Sequence, residues 1–125
     1  MADPITRRPE VKFKPKWITF EWKFRGYEGE VHAVTFSGAV EFAHKDYLRK
    51  CNIGPQMRNY RTELQQLKDK PFRISIGSVS FSHYAKLYRN FQQGEHSKAD
   101  DAELAQFQSI IRDKEAYNAR HFQGQ

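Results

Sequence analysis

From Trp17 onward the side chains alternate. Ile18, Phe20, Trp22 and Phe24 fall on one face of an extended segment, and Trp17, Thr19, Glu21 and Lys23 fall on the other. A period of two marks a half-buried strand. The glycine-marked stretch RGYEGE predicts a turn. VHAVTF, at 31–36, reads as a second strand, so 17–36 is expected to form a hairpin.

After the hairpin the period changes. Val40, Ala43, Tyr47, Leu48 and Cys51 recur at helical spacing, with Ser37 placed to cap a helix that begins at Gly38. A rival reading turns FSGAVEF into a second hairpin at Ser37-Gly38, but an apolar stripe of three turns favours the helix. Cys51 lies on that stripe, which predicts a buried, unreactive thiol. NIGP supplies a glycine stop, and Pro55 opens a second helix over 55–69 whose stripe is Met57, Tyr60, Leu64 and Leu67.

Lys70-Pro71 ends this helix. Phe72, Ile74 and Ile76 alternate into a third strand that closes at Gly77. Ser82 is placed to cap a helix carrying Tyr84, Leu87, Tyr88 and Phe91. Asp100 or Asp101 then caps a long last helix carrying Leu104, Phe107, Ile110, Ile111 and Tyr117, with acidic residues suited to its first turn. The order is ββααβαα. The expected class is α+β, a small three-stranded antiparallel sheet with helices packed on one face.

Ahead of the hairpin, residues 1–16 hold Pro4, Pro9 and Pro15 together with five Lys/Arg. Proline disfavours helix there, so 1–16 is expected to be a flexible basic arm and 17–125 a single α+β domain. The chain has 125 residues, enough for one core without a disulfide or metal staple, and an aromatic share of 14 % that supplies buried area despite a mean hydropathy of −0.86.

Charge gives this domain a direction. The net charge is +6. Residues 7–25 hold seven Lys/Arg against two Glu, and residues 44–73 hold eight against three acids, whereas residues 94–125 hold four against six. Such a field favours an acidic partner: nucleic acid, DNA or RNA, or an acidic protein surface.

The single cysteine excludes an internal disulfide and a Cys-rich zinc site. MADPITRRPE lacks the apolar core of a secretory signal, and no stretch reaches the ~20 apolar residues of a membrane span. A cytoplasmic location without membrane association is the expectation.

Catalytic signatures are sparse. His32, His44, His83, His96 and His121 show no HxH or HExxH spacing. GSVSFSHY lacks the nucleophile elbow of serine hydrolases, and phosphate-binding glycine loops do not occur. Glu21-x-Lys23 matches part of a metal-dependent nuclease site, but the only acidic aspartate upstream is Asp3, and any solvated strand face shows such a pair. A non-enzymatic protein with no cofactor, metal or catalytic residue is expected.

Two basic stretches point to binding. In KFKPKW, Lys12, Lys14 and Lys16 alternate along an extended chain and end at Trp17, on the strand face away from the core. Lysines so spaced can neutralise successive phosphates, and an exposed indole can stack on an unpaired base. In PQMRNYRTELQQLKDK, Arg58, Arg61, Gln65 and Lys68 form a polar strip beside the apolar stripe, and Arg and Gln are side chains that read bases bidentately. A small basic nucleic-acid-binding accessory protein is the leading expectation. The alternative is a protein-binding adaptor or inhibitor, of phage or mobile-element type, acting through the aromatic strand or the C-terminal helix. The stripe of that helix is long enough to serve a second copy of the chain.

Overall fold

The computed structural model describes residues 13–122. The elements follow the expected order: β1 (Ile18–Phe24), β2 (Tyr27–Ala33), α1 (Phe36–Lys50), α2 (Tyr60–Gln66) continued by a 3-10 turn (Leu67–Asp69), β3 (Arg73–Ile76), α3 (Ser78–Gln92) and α4 (Lys98–His121). The sheet is antiparallel throughout, in the order β2-β1-β3.

A two-residue turn joins β1 to β2. Arg25 and Gly26 both have positive φ, 51° and 83°, and Phe24 pairs directly with Tyr27. Two left-handed residues in succession give the mirror-image turn whose twist matches that of the flanking strands. Gly26 takes this conformation freely. Arg25 takes it at a cost of about 1 kcal/mol, partly offset by its guanidinium lying 4.8 Å from the centre of the Phe24 ring.

The register divides the sheet into two faces. Glu21, Lys23, Glu28, Glu30, His32, Arg73 and Ser75 share one face and are all exposed. Ile18, Phe20, Trp22, Phe24, Val31, Ala33 and Ile74 share the other and are buried. The helices therefore cover a single face. Ala39 and Ala43, one turn apart on α1, have no exposed surface. Side chains this small let the helix approach the sheet closely.

The core is largely aromatic. Phe72 stacks on Phe24 with ring centroids 4.1 Å apart and meets Trp22, Tyr47 and His44 edge-on or tilted. Its backbone amide donates to the hydroxyl of Tyr117, which in turn donates to the carbonyl of Lys70. Burial pushes the Tyr117 phenol up from its ordinary value, so it stays a protonated donor. Tyr117→Phe removes both bonds and leaves the Phe72 amide only its bond to the Lys70 carbonyl at 3.0 Å, an expected loss of ~0.5–1.5 kcal/mol in urea unfolding. No measurable change would mean that the Lys70 carbonyl alone satisfies the Phe72 amide.

Several helix boundaries differ from the expected ones. Thr35, not Ser37, caps α1, its hydroxyl accepting from the amide of Gly38. The 38–51 segment is helical, and the hairpin rival is excluded. The helix expected over 55–69 is shorter. Residues 55–59 wind as isolated turns, with Met57 N–H bonded to Gly54 and Tyr60 N–H to Met57, and Met57 is exposed. Gly77 rather than Ser82 precedes α3. Ser97 caps α4 in a capping box with Asp100, so Asp100 lies inside the first turn. Cys51 ends α1 and is half-buried, less enclosed than its place on the stripe predicts.

Candidate functional site

The arm enters the fold through one glutamine. Gln106 of α4 accepts from the backbone amide of Lys16 at 3.0 Å and donates to its carbonyl at 2.8 Å, while the same amide group donates to Val34 O at 3.0 Å. The chain ahead of β1 is thus tied to α4 and to the segment that leads into α1. Lys14, Pro15 and Lys16 lie outside regular secondary structure and are exposed, and Trp17 is 69 % exposed. Lys12 and the rest of the expected arm lie outside the described residues. At Lys16, then, the arm is held by two hydrogen bonds to a side chain that is itself tied to Val34.

Farther along α4 lies a cleft of about 320 Å³, walled by α1, by the 3-10 turn and by α4. Its apolar part is Phe36, Val40, Ala116 and Tyr117, and its polar part includes Lys68, Asp113, Arg120 and His121. A second hollow of about 300 Å³ adjoins it and adds Glu41, Arg61, Leu64 and Gln65. Ser37, Val40, His44 and Lys68 line both.

Gln106, Asp113 and Arg120 are spaced seven apart on α4 and so project from nearly the same face. The arm's attachment and the near end of the cleft are seven residues apart on that face, about 10 Å along the helix axis.

Cationic groups outnumber acids in this region. Arg61, Lys68 and Arg120 line the two hollows against Glu41 and Asp113. Among the described residues, none of the three lies within ion-pair distance of a carboxylate. His44 sits between the hollows with only 5 % of its surface exposed. Burial, reinforced by the charges of His121 and Lys68, lowers its pKa from 6.5 to about 4. It is therefore neutral at pH 7, and its Nε2 has no hydrogen-bond partner among the described residues.

Of the residues expected to bind, Arg61, Gln65 and Lys68 come together at the second hollow, and Lys68 also lines the cleft. Arg58 is exposed in the turns ahead of α2 and does not line it. Lys14, Lys16 and Trp17 stand at the arm's attachment. Arg120, His121 and His44 were not foreseen. The seven-residue spacing of Gln106, Asp113 and Arg120 was visible in the sequence, but nothing there indicated which face of α4 would meet α1.

The surfaces expected for a protein partner are differently placed. Phe20, Trp22 and Phe24 are in the core, and Leu104, Phe107, Ile110 and Tyr117 of α4 are buried within the chain, so the stripe expected for a second copy is already covered. Among the described residues the exposed aromatics are Trp17, Tyr27 and Phe42, and Phe81, Tyr88 and Phe91 on one side of α3.

Glu21 and Lys23 lie on the open sheet face, and among the described residues no group of three or more His, Cys, Asp or Glu could hold a metal ion. No described helix is long and apolar enough to cross a membrane. Comparison with protein-family models, with curated proteins and with solved structures finds no match.

Proposed function

We propose that this protein binds nucleic acid non-enzymatically, along a basic track from the arm to the cleft. The observation that carries the reading is the convergence at the two adjoining hollows of Arg61 from α2, Lys68 from the 3-10 turn and Arg120 from α4, the helix that also holds the arm; among the described residues none of the three has an ion-pair partner. Cations without protein partners are ready to replace the counterions of a phosphate backbone, which is the main source of sequence-independent affinity. Lys14 and Lys16 extend the track, and Trp17 offers an exposed ring on which a base can stack. Arg58 and Gln65 stand beside it.

Fluorescence anisotropy with labelled 12-nucleotide single strands and the corresponding duplex, across a salt series, tests this reading. Replacing Lys14, Lys16, Arg61 and Lys68 with Ala removes up to four phosphate contacts. The slope of log affinity against log salt for single strands is expected to shrink by about 3, at ~0.7 per phosphate. Trp17→Ala is expected to leave the slope alone and to cost ~1–3 kcal/mol. Absence of binding to either polymer at low salt would overturn the reading.

A second reading is favoured by a different observation. Among the described residues, four of the eight exposed large hydrophobic side chains belong to α3: Val79, and on another side of the helix Phe81, Tyr88 and Phe91. Clustered exposed aromatics mark protein-binding surfaces. In an adaptor or inhibitor this helix, rather than the aromatic strand or α4, would meet the partner, and the complex would be far less sensitive to salt than one with phosphates.

A further inference from the structure

We infer that the cleft between α1, the 3-10 turn and α4 takes an unpaired nucleotide, its base in the apolar part and its phosphate at the cationic rim, so that the protein prefers single strands to duplex. This inference rests on the nucleic-acid reading above and narrows it. A purely electrostatic surface needs charge alone. This cleft has in addition an apolar end formed by Phe36, Val40, Ala116 and Tyr117, with Lys68, Arg120 and His121 around it. A nucleotide has the same division, a flat and largely apolar ring joined to an anion.

The volume, about 320 Å³, lies at the lower end of the range for pockets that enclose small ligands. Paired bases are stacked inside a duplex and present only their edges in the grooves, so a duplex can reach the rim but not the apolar end. A single strand can turn one base into it.

His44 supplies an independent observation. It is 95 % enclosed, given its 5 % exposure; its ring lines both hollows, and its Nε2 is buried behind that wall with no partner among the described residues, within reach of a ligand once the ring turns. A buried polar atom without a partner is a cost to the free protein. A base edge carries hydrogen-bonding groups of the kind that would satisfy it. The neutral state of the ring fits this role, because a neutral imidazole retains one donor and one acceptor. Asp113 and Glu41, on the walls, keep the phosphate toward Lys68 and Arg120 rather than deeper along α1.

The test fills the apolar end while leaving the charges in place. Val40→Trp does so from α1, and Ala116→Trp does so from α4, where the native alanine is exposed and the larger side chain leaves the core untouched. The same 12-nucleotide single strand and its duplex are titrated with each variant over the salt series, and thermal melting identifies a variant that fails to fold.

For wild type, tighter binding of the single strand than of the duplex is expected. In both variants, single-strand affinity should fall by at least about 5-fold, the lower end of what one stacked base contributes, with the salt slope and duplex affinity unchanged. If wild type binds both polymers and the folded Ala116→Trp variant keeps its single-strand affinity, the nucleotide pocket is refuted and the electrostatic reading stands. If wild type binds neither polymer, the nucleic-acid reading fails and the pocket fails with it.

Discussion

Trp22→Ala is expected to destabilise the protein by about 3–5 kcal/mol, a large share of the ~5–15 kcal/mol that holds an ordinary domain folded. The indole has no exposed surface and packs against Tyr47 and Phe72. Its Nε1–H donates to Asp46 Oδ2 at 2.9 Å, which joins the centre of β1 to α1. Gly29 pairs with Trp22 across the hairpin, and a Cβ there would lie 2.4 Å from Asp46 Oδ2 and 2.6 Å from the indole nitrogen. A glycine in the strand thus makes room for the bond.

Trp22→Phe keeps most of the buried area and loses the donor, so ~1–2 kcal/mol is expected; Asp46 remains held by Arg49 at 2.6 Å. Urea unfolding of the two variants separates packing from hydrogen bonding. Equal losses for Phe and Ala would mean that the Asp46 bond dominates and that the cavity closes at little cost.

This contact shows how far sequence carries the fold. The alternation of Ile18, Phe20, Trp22 and Phe24 was legible because one face of the sheet is covered and the other open, so every second side chain must be apolar. The element order followed from such periods. The boundaries did not, because several hydroxyl and carboxyl side chains compete for each helix start. Thr35 and Ser37 are both competent caps, and what places the start at Phe36 is its burial against Tyr117. The 55–69 stretch was read as one helix because Met57 continues the stripe of Tyr60, Leu64 and Leu67. In the fold Met57 has no core to face, its sulfur accepts from the Gly54 amide, and the chain forms turns instead.

The candidate site was half legible for a related reason. The strip of Arg61, Gln65 and Lys68 belongs to one segment, and helical periodicity brings it together. Arg120 and His121 come from a helix about fifty positions downstream, and their arrival at Lys68 depends on the packing of α4 against α1. Local pattern holds no record of that packing. His44 carried a weaker signal still. On α1 it falls beside Ala43 and Tyr47, and a histidine there is equally compatible with solvent or with the core.

Acidification reads out the enclosure of His44. Its folded pKa is about 4, below the ordinary 6.5, because burial disfavours the imidazolium and because His121 and Lys68 stand nearby. Between those two values the unfolded chain binds a proton that the folded chain refuses. Stability contributed by the neutral ring is therefore fully present above pH 6.5 and is lost progressively as pH falls toward 4. The full loss is about 3 kcal/mol at ~1.4 kcal/mol per pH unit.

His44→Phe isolates the term, since it keeps a ring against Phe72 and removes the titration. Unfolding free energies for wild type and His44→Phe, measured by urea at pH 7.5, 6, 5 and 4.5, are expected to converge or cross as pH falls, the variant gaining about 2 kcal/mol relative to wild type. Two parallel curves would show that His44 titrates normally, and thus that the ring is in contact with water rather than enclosed at the wall of the cleft.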